Sequence, residues 1–173
     1  MKPPPNLRLS RPRTARAVAR SARTIEEFGL NLRDWFHELQ SLSTRAQLAA
    51  AVKVRPPSLA RKIPAGQIAD AFLAAQVEFL CRRAGLRPPH WTRDSSYVLD
   101  EPWFSVTGRH SRAHLLLATP DEFRNRNVFT TSEVQVAIRP GRPRVSRSVK
   151  LAKARLRQQR YRQRLARLAS PKP

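Results

Sequence analysis

The stretch 67–84, QIADAFLAAQVEFLCRRA, followed by Gly85-Leu86-Arg87-Pro88-Pro89, carries the strongest helical pattern in this 173-residue chain. Ile68, Phe72, Ala75 and Phe79 recur at helical spacing, and Leu73, Val77 and Leu80 widen the stripe. Gly85 stands where a left-handed residue ends a helix, with Leu86 as its apolar partner. Pro88 and Pro89 prevent continuation. A helix apolar over so much of its surface is expected at the centre of a core. Cys81, within it, reads as a buried, inert thiol.

Upstream, Thr24-Ile25-Glu26-Glu27 is a capping box. Ile25, Phe28, Leu32, Trp35 or Phe36, and Leu39 follow at helical spacing, which predicts a helix over 25–40. Thr44 and Gln47 repeat the capping pattern before a second helix over 45–53, ended by Pro56-Pro57. The prolines between 53 and 67 stretch the connection well past a helix-turn-helix turn, so no standard recognition helix is expected. Downstream, 89–104 reads as an irregular loop dense in aromatics. Ser111 is expected to cap a short helix over 112–118, with Leu115, Leu116 and Leu117 inward. Thr119-Pro120-Asp121-Glu122 is a further N-cap pattern, with Phe123 inward and Arg124 and Arg126 exposed. Val128–Thr130 and Val134–Ile138 are strand-like, as a hairpin or as extended segments.

Charge divides the chain into three parts. Lys+Arg number 34 against 12 Asp+Glu, a formal net charge of +22. Residues 1–23 and 139–173 contain no carboxylate, so every acid lies in 24–138, which is nearly neutral. The expected organisation is a basic N-terminal arm over 1–23, disordered or conditionally helical, a helical domain over 24–138, and a basic amphipathic C-terminal helix over 139–173. Like-charge blocks of this kind are interaction tails, and nucleic acid is their commonest polyanionic partner. In the N-terminal arm Arg13, Arg16, Arg20 and Arg23 fall on one helical face. In the C-terminal segment Lys150, Lys153, Arg157, Arg160, Arg164 and Arg167 form a basic stripe. Leu151, Tyr161, Leu165 and Leu168 run beside it as an apolar seam suited to a protein partner. A short coiled coil is a weaker alternative because Ala154 and Gln158 interrupt the seam. A membrane surface is not expected, since no Trp or Phe anchors the apolar face.

Composition narrows the chemistry. One cysteine excludes an internal disulfide and thiolate-rich zinc sites. No apolar run approaches the roughly 18 residues of a spanning helix, and no apolar h-region follows the basic N-terminus. The expectation is a cytoplasmic protein. His110 and His114 are four apart, but no third ligand accompanies them. Asp121 with Glu133-Val134-Gln135 resembles a nuclease pattern, yet Gln135 replaces the required lysine. Asp94, Asp100 and Glu101 sit among aromatics, where loop capping and ion pairs to Arg93 or Arg124 account for them without catalysis. No catalytic residue, metal or cofactor is expected.

One block of residues is familiar. Trp91-x-x-Asp94, Leu99-x-x-Pro102-Trp103-Phe104 and Thr119-Pro120-x-x-Phe123-Arg124-x-Arg126-Asn127-x-Phe129 resemble a family of small uncharacterised bacterial proteins. The resemblance covers about 90–130 and implies an operon-associated, antitoxin-like or regulatory role, with a toxin as partner. It implies no catalytic activity. The expectation is a mainly α protein: a small helical domain with at most a short β hairpin, flanked by basic arms. Its expected role is non-enzymatic binding of nucleic acid, DNA or RNA, together with a protein partner. A structural, ribosome-associated RNA-binding protein is the first alternative, and a metal-dependent nuclease the second.

Overall fold

A computed structural model describes residues 11–131, together with 155–156 and 158–159. The chain divides into two compact units, Met1–Pro140 and Gly141–Pro173. The first is mainly helical: α1 (Ala15–Ser21), α2 (Ile25–Gln40), α3 (Arg45–Val52), α4 (Gly66–Arg83), α5 (Arg109–Ala118) and α6 (Asp121–Arg124). Two 3-10 turns, His90–Arg93 and Ser95–Tyr97, precede β1 (Trp103–Phe104), and β2 (Val128–Phe129) follows α6. Of the second unit, Arg155, Leu156, Gln158 and Gln159 are helical and exposed. The rest of the expected C-terminal helix, and the strand-like 134–138, lie outside the described residues.

The α4 helix is buried on both sides. Leu73, Val77, Leu80 and Cys81 join one apolar cluster with α1, α2, α3, Trp91 and Tyr97. Ala71, Ala75 and Phe79 join a second with Leu99, Phe123 and Val128. Phe123 meets Phe72 edge-on at 5.3 Å and Phe79 at 6.1 Å. Its C-terminus closes as expected. Gly85 adopts φ +66°, its N–H donates to Arg82 O, and Leu86 N–H donates to Cys81 O. The second capping box forms reciprocally between Thr44 and Gln47, but the first forms by half: Thr24 accepts from Glu27 N–H, while Glu27 Oε2 accepts from Arg23 N–H and not from the cap's own N–H.

The start of α4 is held by a tertiary contact. No side chain caps it, and Ala65 before it is left-handed at φ +57°. The buried Asp70 carboxylate instead accepts from Leu59 N–H, Ala60 N–H and Ser58 O–H. That bracket draws residues 58–60 so close that a Cβ on Gly66 would lie 2.1 Å from Leu59 O. Gly66 is therefore required for close approach rather than for its φ.

Five expectations are corrected, the last of them Arg126. Residues 15–21 form a helix whose Ala15, Val18, Ala19 and neighbouring Ala22 are buried in the first cluster, so the folded unit begins before Thr24. The small residues let α1 pack closely, and Asn31 Nδ2 donates to Val18 O and Ser21 Oγ. Secondly, α5 starts at Arg109 with no side-chain cap, and only Leu115 faces inward. Leu116 and Leu117 are 48% and 86% exposed, because α5 lies on the surface. Thirdly, Pro120 occupies the N-cap position of α6 and no side chain caps it, because Thr119 Oγ1 instead accepts from Thr130 N–H and donates to Thr130 O. Fourthly, β2 pairs in parallel with β1, Trp103 opposite Val128 and Phe104 opposite Phe129. The intervening α5 and α6 supply the long crossover that parallel pairing needs.

Arg126 is the largest departure. It was expected at the surface and is buried. Asn125 ends α6 and Asn127 is left-handed at φ +56°, which turns Arg126 inward. Its guanidinium donates to Glu78 Oε2 at 2.7 Å, to Thr92 O and to Glu122 O. Arg82 flanks the pair, 2.8 Å from Glu78 and 3.2 Å from Glu122. Removing one member of a buried pair strands the other. Arg126→Met is expected to cost about 3 kcal/mol, the low end for such pairs because Arg82 still neutralises Glu78. A urea titration followed by far-UV circular dichroism measures it.

Candidate nucleic-acid interface

The α1 helix turns a flexible cationic sequence into a fixed surface. Thr14 caps it by accepting from Ala17 N–H at 3.1 Å. Ala15, Val18 and Ala19 face the core, which leaves Arg16 and Arg20 exposed on the helix. Arg13 and Arg23, expected on the same helical face, are exposed in the segments beyond the extended caps Thr14 and Ala22, so the single four-arginine face is corrected to two helical arginines with one flanking each end. No carboxylate among the described residues forms an ion pair with any of the four. Arg11 has only a distant contact to Glu38, at 3.9 Å. Glu27, the nearest acid in sequence, accepts from the backbone N–H of Arg23 and not from its guanidinium.

The helix is also charged against its own dipole. Its first turn contains no acid, and Arg16 lies there, where positive charge is unfavourable. Arg20 in the last turn is favourably placed. A concavity of about 660 Å³ lies beside the helix, lined by Arg11, Arg13, Thr14 and Arg20. The surface is thus concave, cationic and uncompensated, suited to an anion with several charges. Arg11 and Thr14 were missed from the sequence. The spacing of the four arginines was visible, but the concavity needs Pro12 and α1 in place.

Of the other expected contact residues, Lys150, Lys153, Arg157, Arg160, Arg164 and Arg167 lie outside the described residues, as do Leu151, Tyr161, Leu165 and Leu168.

The side chains weighed for chemistry are dispersed. His110 and His114 are exposed on α5 beside a shallow depression with Ser105, Ser111 and Thr131. Among the described residues no three metal-ligating side chains cluster. Asp121 is exposed and 3.9 Å from Arg124, and Glu133 lies outside the described residues. Asp94 caps the second 3-10 turn by accepting from Ser96 N–H and pairs with Arg55 at 2.8 Å, not with Arg93 or Arg124. Hydrogen bonds from Ser96, then Arg55, hold its carboxyl below the usual range.

The block Trp91 to Phe129 is scaffolding. Trp91 Nε1 donates to Val52 O, Asn127 Nδ2 donates to Leu99 O, and Trp103 N–H donates to Asn127 O. Phe104 and Phe129 stack at 4.7 Å. These residues hold the aromatic loop to the α6–β2 corner.

Burial, with Glu78 nearby, pushes the Cys81 thiol up to about 11. The thiolate is the nucleophile, so Cys81 is expected to resist iodoacetamide at pH 8 in the folded protein and to react once urea unfolds it. The native state also holds this proton more tightly than the unfolded chain. Its contribution is therefore complete below the ordinary thiol pKa, and stability falls as pH rises towards 11. Replacing Cys81 with Ala should flatten that alkaline decline in thermal melts.

No protein-family model, curated protein or solved structure matches the chain.

Proposed function

We propose that this is a non-enzymatic nucleic-acid-binding protein, antitoxin-like or regulatory, that grips the phosphate backbone through its arginine face. The observation that supports it is the set Arg13, Arg16, Arg20 and Arg23, all exposed on or directly beside a helix anchored in the core and lacking acidic partners among the described residues. Arg13 and Arg20 line one concavity. Unneutralised guanidinium groups so placed repel one another, and a polyanion relieves that repulsion while releasing its own counterions. The acid-free segment 139–173 adds thirteen more Lys and Arg residues to the same chain. Its stripe from Lys150 to Arg167 is assigned to phosphate as well, and Leu151, Tyr161, Leu165 and Leu168 to a protein partner such as a toxin. Contacts of this type position a protein on nucleic acid without reading its sequence. The protein is proposed to act in the bacterial cytoplasm.

Among the described residues no helix is long and apolar enough to cross a membrane. A structural RNA-binding role on the ribosome uses the same surface, and the affinity for RNA against DNA separates the two.

Binding of labelled duplex DNA and of RNA of the same sequence, followed by fluorescence anisotropy across salt concentrations, tests the proposal. Arg16→Gln or Arg20→Gln should weaken binding evenly across sequences. Each should lower the salt slope by about 0.9 on duplex DNA. A loss confined to one base sequence, or an unchanged slope, would refute the phosphate assignment.

A further inference from the structure

We infer that the groove between α2 and α4 is a docking site for a partner protein, which enters as a segment carrying one bulky apolar side chain beside lysine or arginine. The site is independent of the arginine face.

The groove holds about 280 Å³ and is lined by Ile25, Phe28 and Leu32 of α2, Ile68 and Phe72 of α4, and Trp103. No charged side chain lines it. Its floor is made by core residues, Phe28 and Leu32 being buried, so the shape is set by packing and not by loose surface chains. Trp103 and Phe72 are only half-buried and present ring surface to it.

Gly29 supports this reading. It lies on the groove side in the interior of α2, where glycine is unfavourable relative to alanine. A Cβ there would meet nothing within 4 Å, so packing does not require glycine. Its effect is to leave the groove mouth unobstructed.

Charge selects the occupant. The groove continues, through Ile68 and Trp103, into a second depression of about 370 Å³ that bears Gln67, Asp100 and Glu101. Both carboxylates are exposed, and among the described residues neither pairs with a cation. They stand unpaired in a chain of net charge +22. An apolar slot that opens onto two free carboxylates complements an apolar side chain with a neighbouring cation and repels a nucleic-acid backbone. Two adjoining depressions that share Ile68 and Trp103 suit neighbouring side chains of a polypeptide, with the apolar anchor in the first.

The full-length protein labelled with nitrogen-15 gives one indole N–H signal for each of Trp35, Trp91 and Trp103, assigned with Trp103→Phe. The probe is the capped tetrapeptide LKLK. It should shift the Trp103 signal saturably and leave those of Trp35 and Trp91 in place. The capped tetrapeptide LELE should not shift it, although the protein as a whole is cationic. Gly29→Leu should abolish the LKLK shift without lowering the melting temperature, since the substitution favours the helix and its Cβ enters open space. Gly29→Ala, the control, should retain binding. Asp100→Asn with Glu101→Gln should weaken LKLK about threefold, the range of an exposed ion pair. The inference fails if LELE shifts Trp103 as LKLK does, if LKLK leaves it unmoved, or if Gly29→Leu binds normally. It also fails if an oligothymidylate, and not LKLK, moves the Trp103 signal, because the groove would then belong to nucleic acid.

Discussion

The guanidinium of Arg126 is the one buried cation among the described residues, and much of the first unit is arranged to accept it. A charge taken out of water is tolerated only where charge-compensating and hydrogen-bonding groups replace its hydration. Glu78 supplies the opposite charge from α4, while Thr92 and Glu122 supply carbonyl oxygens from the first 3-10 turn and from α6. Three segments far apart in sequence are thereby held at one point. The neighbouring backbone bonds, Leu99 N–H to Arg126 O and Trp103 N–H to Asn127 O, extend that point into the two-stranded sheet. The aromatic loop, the α6 turn and the sheet therefore depend on a charge pair at the polar end of an otherwise apolar helix.

The α4 helix makes this possible because it has no solvent face over most of its length. One side closes the cluster that contains α1, α2 and α3, and the other closes the cluster around Phe123. A central helix of this kind leaves the outer elements to differ in burial. The α1 helix buries mainly alanine and valine and keeps its arginines outside, whereas α5 is anchored by Leu115 alone. The basic surface is consequently part of the folded unit, which lowers the ordering entropy of the phosphate contacts proposed for it relative to a disordered tail. The groove beside Trp103 lies between α2 and α4, and the carboxylates of the depression beside it give it an electrostatic character opposite to that of α1.

The sequence by itself determined the helices whose signals are local. Thr24, Thr44 and Gly85 marked their caps because the hydrogen bonds they make span three to five residues. The apolar density of 67–84 announced a central helix, and the acid-free arginine spacing of 13–23 announced a cationic face. Tertiary structure alone decided the rest. Arg126 and Arg124 are the same residue type two positions apart, yet one is buried and the other exposed, because the deciding partner, Glu78, is 48 residues away. The inward turn of α1 rests on Asn31, the depth of Gly66 on Asp70, and the parallel pairing of Trp103–Phe104 on a segment two dozen residues downstream. Each is a contact between distant segments, whose free energy depends on burial and geometry that no window of sequence contains. The α2–α4 groove belongs to the same class: two apolar stripes signal a core, and only their tertiary packing with Trp103 leaves a part of it open.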